Sequence, residues 1–164
     1  MKTLCLIRHA KSSWTDPKMD DKDRPIDPRG ETDAAHLAEF LLSHDINPDL
    51  VLVSPAKRTQ MTSQILAKNM HIADKKLKTI DTVYQAAVED LLHLIQQTDD
   101  HVNSLIIIGH NPGLSWLANY LADAHHINLP TCGAYAATFD TDKWQEVTIV
   151  EGKTIFVELP KHDD

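Results

Sequence analysis

Two histidines and an arginine stand where short apolar segments of this chain end. Arg8 and His9 directly follow the apolar residues 4–7, and His110 follows residues 105–108 after a single glycine. An imidazole can attack phosphorus, and a guanidinium group binds phosphate oxygens through paired N–H donors. These residue types therefore suit a site that binds, and can break, a phosphate group.

A third apolar segment, residues 50–53, is followed by Ser54-Pro55 and then by Arg58. All three segments lack internal polar residues, which is typical of strands buried on both faces of a parallel sheet. Ligands of such sheets bind beyond the carboxyl ends of the strands. We therefore expect both arginines and both histidines to meet at one edge of a sheet.

The alternation of patterns along the chain predicts the fold class. Apolar spacings of i, i+3, i+4 and i+7 predict helices over residues 34–41, 88–95 and 114–121. Ser54-Pro55 predicts a capped helix start, and that helix is expected to reach about Asn69. Strands are predicted over residues 3–7, 50–53, 77–80, 105–108, 134–139 and 154–159, with 144–150 as a candidate further strand. We expect a single three-layer αβα sandwich with a mostly parallel central sheet and an antiparallel edge, because the last strands follow one another without helices.

The bulk properties of the chain narrow the function classes. Its 164 residues predict one domain, residues 1–164, and its formal net charge of −8 argues against general nucleic-acid binding. No apolar run approaches the roughly 20 residues that span a membrane. The N-terminal apolar stretch is too short for a signal peptide. Cys5 and Cys132 match no zinc-site spacing and are expected to be free thiols in a cytoplasmic protein.

Four short motifs resemble those of the histidine phosphatase superfamily, which includes the phosphoglycerate mutases. In chain order they are residues 6–14 (LIRHAKSSW), 24–30 (RPIDPRG), 54–59 (SPAKRT) and 109–113 (GHNPG). Ala10 replaces the glycine of the family's opening Arg-His-Gly signature, as in the branch related to the phosphohistidine phosphatase SixA. The motifs occur in the family's order within about residues 3–140.

The resemblance implies the catalytic roles. His9 is expected to be the nucleophile that carries a covalent phosphoryl group, while Arg8, Arg58 and His110 bind and polarise the phosphate. The residues themselves agree with this, because the two arginines lower the pKa of a neighbouring histidine and so keep it neutral for attack. Arginine forks and a histidine donor also stabilise the charge of a transferring phosphoryl group.

The substrate-side residues follow from the same resemblance. Thr15 matches a family asparagine that contacts phosphate, and Arg24 and Asn111 are expected to bind the substrate. No metal or other cofactor is required for this chemistry. The pair His125-His126 is expected to lie in a surface loop rather than to bind a metal, because adjacent side chains rarely converge on one ion.

The general acid is left open between three alternatives. Asp81 stands three residues before Tyr84, a spacing similar to that of the acidic residue in the mutases. Glu89 is the second candidate, although it can instead stabilise the start of a helix. The third alternative is that no acid is needed, because an imidazole leaving group can take its own proton at neutral pH. Asp81 is the favoured assignment.

The function expected from these observations is a phosphatase with a phosphohistidine intermediate. Larger superfamily members cover the site with inserted segments, whereas the spacers between the motifs are short here, so we expect a shallow and open pocket. That favours phosphohistidine displayed on a protein partner, such as a phosphorelay domain. The alternatives are a small-molecule phosphomonoesterase or mutase acting on a small phosphoester, and a noncatalytic phosphate-binding adaptor.

Overall fold

The computed structural model describes residues 1–123 and 126–161. The strands are β1 (Lys2–Arg8), β2 (Leu50–Val53), β3 (Leu77–Thr79), β4 (Ser104–Gly109), β5 (Ala134–Phe139) and β6 (Lys153–Glu158). The helices are α1 (Pro28–Ser43), α2 (Lys57–Met70), α3 (Val88–Gln96) and α4 (Gly113–Leu121). No described helix is both long enough and apolar enough to cross a membrane.

The six strands form one sheet in the order β3-β2-β4-β1-β5-β6. The strands β3, β2, β4 and β1 run parallel, β5 is antiparallel to β1, and β6 is antiparallel to β5. The predicted fold class is therefore confirmed. The strands β5 and β6 form the antiparallel edge that the sequence predicted. They can pair as antiparallel neighbours because no crossover helix separates them.

Both faces of the sheet are covered by helices. Alternate residues of β1 illustrate this: Leu4 and Leu6 pack into a cluster with α3 and α4, whereas Cys5 and Ile7 pack into a second cluster with α1 and α2. Successive side chains of a strand point to opposite faces, so a strand buried on both faces must be apolar throughout. This is why the uninterrupted apolar runs predicted the central strands correctly.

The register of the sheet brings the two histidines together. In the parallel pair of β1 and β4, Arg8 stands opposite Gly109, so His9 and His110 follow at the same level. The backbone N–H of His9 donates to the carbonyl of Gly109 at 3.0 Å. Strand β2 lies on the other side of β4 and is followed by Ser54.

The predicted cap of the second helix is wrong. Helix α2 begins at Lys57, and its N-cap residue Ala56 makes no side-chain hydrogen bond to the helix. Ser54 stands two residues earlier, and its hydroxyl lies 2.8 Å from Nε2 of His110. Ser54-Pro55 therefore predicted the start of a helix correctly, but the hydroxyl of Ser54 contacts His110 instead of capping that helix.

The candidate strand over residues 144–150 is also wrong. This segment contains a 3₁₀-helix, Trp144–Glu146, followed by turns. Trp144 is fully buried, and its indole N–H donates to the carbonyl of Val102 at 2.8 Å. The buried side chain of Trp144 therefore anchors this segment to the core, and the segment does not form the ladder hydrogen bonds of a strand.

Gly30, in the first turn of α1, packs closely against the backbone of Lys11 in the segment that follows His9, and a substitution can test this packing. A Cβ on Gly30 would lie 2.4 Å from the carbonyl oxygen of Lys11. We expect Gly30→Ala to lower the free energy of unfolding by roughly 1–3 kcal/mol, because backbone must shift to admit the methyl group. Urea denaturation measures this. Glu39→Ala, on the exposed face of the same helix, is the control and should stay within about 0.5 kcal/mol of the original protein; equal stability of the two variants would contradict the prediction.

Candidate active site

A cavity of about 530 Å³ at the carboxyl edge of the sheet contains the four residues expected to meet there. Arg8, His9, Arg58 and His110 all line it. The other lining residues are Lys11, Ser12, Trp14, Asp21, Arg24, Gln85, Asn111 and Thr131. A larger hollow of about 690 Å³ lies before the start of β4, at the opposite edge, and is lined mainly by residues 96–101. It contains none of the predicted site residues.

His9 is held in one orientation and one tautomer. Its ring nitrogen Nδ1 lies 2.8 Å from the carbonyl oxygen of Ala10. A carbonyl can only accept, so Nδ1 carries the proton and Nε2 has the lone pair. The N–H of Ala10 in turn donates to the hydroxyl of Thr62 on α2 at 3.0 Å. The sheet and α2 together fix the imidazole, and its Nε2 is the atom available for nucleophilic attack.

The surroundings of His9 keep its ring neutral. Only 7% of the residue is exposed. Burial lowers the pKa of His9 to about 4, and the positive charges of Arg58, Arg8 and Arg24 act in the same direction, against the hydrogen bond to Ala10. The ring of His9 is therefore unprotonated throughout the neutral range.

Two guanidinium groups flank His9. Arg58, which is 6% exposed, donates from Nη1 to the backbone carbonyl of Asp21 at 2.7 Å and from Nη2 to its carboxylate at 2.9 Å. Arg8 donates to the carbonyl of Leu129 at 3.1 Å. The Nε atoms of both arginines are buried without a hydrogen-bond partner among the described residues. Burying a charged N–H donor without an acceptor costs free energy. Binding of an anion that accepts hydrogen bonds from these guanidinium groups is therefore favoured.

Arg24 brings a third guanidinium group to this edge and is buried, and its predicted role as a substrate contact stays a prediction. It donates to the carboxylate of Asp21 at 2.9 Å, to the carbonyl of Ser13 at 3.2 Å and to the hydroxyl of Ser12. Its guanidinium carbon lies 3.1 Å from the ring centroid of Trp14, which is 74% exposed at the rim of the cavity. Trp14 thus anchors Arg24 in the loop rather than packing in the core.

Asp21 is a site residue that the sequence did not reveal. Its carboxylate accepts from Arg24, from Arg58 and from the hydroxyl of Tyr84 at 2.6 Å. The Tyr84 hydrogen bond, followed by Arg58 and Arg24, lowers the pKa of Asp21 to about 2. In the described part of the chain it is the one carboxylate that lines the cavity. Because it stays ionised at neutral pH, it balances the arginines and cannot serve as a general acid.

His110 faces His9 across the cavity, with 5.3 Å between the ring centroids. Its Nε2 lies 2.8 Å from the hydroxyl of Ser54, and its Nδ1 lies 3.4 Å from Nη2 of Arg58. Burial, then the charge of Arg58, lowers the pKa of His110 to about 3. This second histidine is therefore also neutral.

Of the predicted substrate-binding residues Thr15 and Asn111, only Asn111 lines the cavity. Thr15 is exposed, does not line the cavity and shares a 3.0 Å hydrogen bond with the hydroxyl of Ser13. Asn111 lines the cavity, but its amide donates to the carbonyl of Leu129 at 2.7 Å and accepts from the hydroxyl of Ser115 at 2.8 Å. Its amide therefore ties the loop beside Arg8 to α4.

Neither candidate acid lies among the residues that line the cavity. Asp81 and Glu89 are both exposed. The segment between them contributes Gln85 instead, at a left-handed backbone position with φ of 55°. The assignment of Asp81 as general acid stays a prediction.

No group of three or more histidine, cysteine, aspartate or glutamate side chains is placed to hold a metal ion in residues 1–123 and 126–161. His125 lies outside the described residues, so the expectation for His125-His126 stays a prediction. The described site consists of guanidinium groups, imidazoles and one carboxylate, which can bind and transfer a phosphoryl group without a metal.

The neutral state of His9 gives a testable pH dependence. In a titration of the imidazole groups followed by NMR, His9 should protonate with a midpoint near pH 4, because burial and the arginines disfavour the cation. Arg58→Ala should raise this midpoint, because one positive charge beside the ring is removed. Lys57→Ala removes an exposed charge next to Arg58 and should leave it unchanged. A midpoint near the ordinary value of about 6.5 in the original protein would contradict the electrostatic account.

Comparisons with known proteins agree with the geometry. The sequence model of the histidine phosphatase superfamily (branch 1) matches residues 4–83. An uncharacterized chloroplastic protein of Arabidopsis thaliana is 32% identical over 157 residues, which are 91% of this chain and 72% of the relative.

Solved structures extend the similarity over most of the chain. A provisionally named phosphohistidine phosphatase SixA of Agrobacterium tumefaciens has a TM-score of 0.74 and 28% identity, covering 83% of this chain and 91% of its own. The protein histidine phosphatase SixA complexed with tungstate has a TM-score of 0.82 and 19% identity, covering 96% of this chain and 97% of its own. On its motifs, fold and relatives together, this chain belongs to the histidine phosphatase superfamily, and it is similar to the SixA structures in fold.

Proposed function

We propose that this protein is a phosphatase that removes phosphate from phosphohistidine on a protein partner through a phosphoryl group carried by His9. One observation carries this proposal. The buried His9 is neutral, its Nδ1 is bonded to a carbonyl, and its Nε2 is therefore free to attack beside Arg8 and Arg58. A site that only bound phosphate would need the arginines but not a nucleophile prepared in this way.

The residues support a two-step reaction. In the first step Nε2 of His9 attacks phosphorus, the bond to the leaving group breaks, and the leaving group takes a proton. In the second step the oxygen of water attacks the phosphorus, the bond between phosphorus and Nε2 of His9 breaks, and water gives up a proton to the solvent. Inorganic phosphate is released, which restores neutral His9. Arg8, Arg58 and His110 stabilise the charge on the phosphoryl oxygens in both steps, because they are fixed before the substrate arrives.

Three further residues complete the proposed assignment. Arg24, buried beside Asp21, is the substrate-side cation of the cavity. Asn111 acts by holding the loop at Leu129. Thr15 is retained as a substrate contact that requires movement of its loop, since it lies outside the cavity lining.

The shape of the site and the names of its relatives support the proposed substrate class. Short connections leave a cavity whose rim carries the exposed Trp14, so a phosphorylated side chain on another protein can enter. The SixA structures are named as phosphatases of phosphohistidine or of protein histidine. A small phosphoester is the alternative substrate. A noncatalytic phosphate-binding adaptor is disfavoured, because it would not need a neutral His9 whose Nε2 is free to attack.

The proposal includes a cytoplasmic location without nucleic-acid or membrane partners. Cys5 and Cys132 are both free and buried, which supports a reducing compartment. The net charge of −8 disfavours nucleic acid.

His9→Ala tests the proposed chemistry. With a labelled phosphohistidine protein as donor, the original protein should hydrolyse the donor and acquire an acid-labile, alkali-stable label. His9→Ala should lose both, because no other nucleophile lies at this position, while the exposed His93→Ala should keep both. Residual turnover of His9→Ala within about tenfold, equivalent to about 1.4 kcal/mol in the barrier, would contradict the assignment. A parallel panel of phosphoesters decides between the two substrate classes.

Asp81→Asn tests the general acid. An alkoxide leaving group needs a proton in the transition state, whereas a protonated imidazole does not. If Asp81 is the acid, Asp81→Asn should slow hydrolysis of an alkyl phosphate and leave cleavage of phosphohistidine nearly unchanged. Glu89→Gln, assayed in parallel, is the matched control. No loss on either substrate for both variants would show that the chain works without a carboxylic acid at this step.

A further inference from the structure

The carboxylate of Asp21 holds two of the buried arginines at once. Its Oδ2 accepts from Nη2 of Arg58 at 2.9 Å, and its Oδ1 accepts from Nη1 of Arg24 at 2.9 Å. The backbone carbonyl of the same residue accepts from Nη1 of Arg58 at 2.7 Å. Asp21 therefore binds both terminal nitrogens of Arg58, as a bidentate oxyanion binds a guanidinium group.

These contacts leave Arg58 without an uncommitted pair of neighbouring nitrogens. A guanidinium group offers an oxyanion two bidentate edges, Nη1 with Nη2 and Nε with Nη2. Nη2 of Arg58 belongs to both edges, and it donates to Asp21 and, at 3.4 Å, to Nδ1 of His110. A phosphoryl group that binds Arg58 through two nitrogens must therefore share or take a donor that one of these residues holds.

The other two arginines of the cavity differ from each other in their commitments. Arg24 donates from all three of its side-chain nitrogens, and one of these bonds goes to Asp21. Arg8 instead donates from Nη1 to a backbone carbonyl, and its Nε has no partner in the described part of the chain. An oxyanion thus finds an available donor at Arg8, whereas Asp21 holds the terminal nitrogens of Arg58 and one nitrogen of Arg24.

Solvent can receive the carboxylate when an oxyanion displaces it. The side chain of Asp21 is 42% exposed, whereas those of Arg24 and Arg58 are 8% and 7% exposed. A displaced carboxylate is therefore hydrated and does not become a buried, unpaired charge, which would be costly. The hydroxyl of Tyr84, which donates to Oδ2 at 2.6 Å, is a further partner for it. The exchange replaces one anion by another on buried guanidinium groups.

We infer that Asp21 is a competitor built into the cavity: its carboxylate binds Arg58 and Arg24 in place of phosphoryl oxygens, lowers the affinity of the site for oxyanions and so promotes release of inorganic phosphate. This rests on the proposed function, in which inorganic phosphate is the product. In each turnover the carboxylate returns to the arginines as phosphate leaves. Tight binding of a ground state does not speed turnover, so weaker product binding is an advantage.

Binding of inorganic phosphate tests the inference without turnover. Titration calorimetry at constant pH and ionic strength measures its dissociation constant. Asp21→Asn keeps the size of the side chain and removes its charge, so it should bind phosphate roughly tenfold or more tightly, because a charge-assisted hydrogen bond no longer competes. Asp23→Asn removes an exposed carboxylate of the same turn and should stay within about twofold of the original protein, because solvent and salt screen it.

Equal or weaker phosphate binding by Asp21→Asn would overturn the inference, because loss of a merely structural contact does not tighten binding. Phosphate that binds to neither protein would overturn it as well.

Tyr84→Phe is a second variant, in which the charges of the site are kept. Tyr84 and Arg58 both donate to Oδ2 of Asp21. Without the hydroxyl, the carboxylate is left to Arg58, so phosphate should bind about two- to fivefold more weakly, in line with the loss of one hydrogen bond. In the background of Asp21→Asn, the same change should have no effect. Tighter binding by Tyr84→Phe alone would contradict competition at Arg58.

Product inhibition gives the kinetic readout. With the phosphohistidine protein as substrate, the inhibition constant of inorganic phosphate should fall in Asp21→Asn by about the factor found in calorimetry, and an unchanged or higher constant would overturn the role in product release. Failure of the original protein to hydrolyse this donor or any of the phosphoesters would instead overturn the proposed function, and the role in product release with it. Calorimetry decides separately whether Asp21 competes at the arginines.

Discussion

The site depends on concentrating positive charge beside a histidine that must not be protonated. Arg8, Arg24 and Arg58 converge around His9, and each lowers the affinity of its ring for a proton. The same charges repel one another: burial, and then the charge of Arg58, lowers the pKa of Arg8. Asp21 balances this repulsion by pairing with Arg24 and Arg58 at once. A dianionic phosphoryl group would compete for those same donors, so its binding and the pairing of Asp21 with Arg58 would oppose each other.

Backbone structure, rather than side-chain packing alone, places these groups. His9 and His110 follow paired ends of β1 and β4, so their separation is fixed by the sheet register. Helix α2 supplies Arg58 and also Thr62, which holds the peptide of Ala10 that in turn orients His9. A change of register or of helix position would therefore displace His9, His110 and Arg58 from their present arrangement. Because the sheet and α2 hold these residues, several positive charges can be kept close together before a ligand binds.

The sequence predicted the groups fixed by the strands and helices better than it predicted the loop contacts. Arg8, His9 and His110 follow strands whose uninterrupted apolar runs suffice to locate them. Asp21, by contrast, was one of several charges in the polar segment before Arg24, and only the folded loop brings it to Tyr84, 63 residues away. Ser54 was misassigned because a helix-start motif and a histidine partner use the same hydroxyl chemistry. Thr15 and Asp81 were carried over from the family pattern, and the fold places both outside the cavity lining.

The two histidines show how one residue type can serve opposite roles in one site. Both rings are neutral, because burial dominates the lowered pKa of each. Their difference lies in the atom behind each ring. A carbonyl behind His9 can only accept, so it leaves the other ring nitrogen as a nucleophile. The hydroxyl of Ser54 lies behind His110 at 2.8 Å from Nε2, while Nδ1 of that ring lies 3.4 Å from Nη2 of Arg58, which can only donate. The two neutral rings are thus distinguished by the atoms that hold them, Ala10 O for His9 and Ser54 Oγ with Arg58 Nη2 for His110, rather than by different protonation states of the imidazoles.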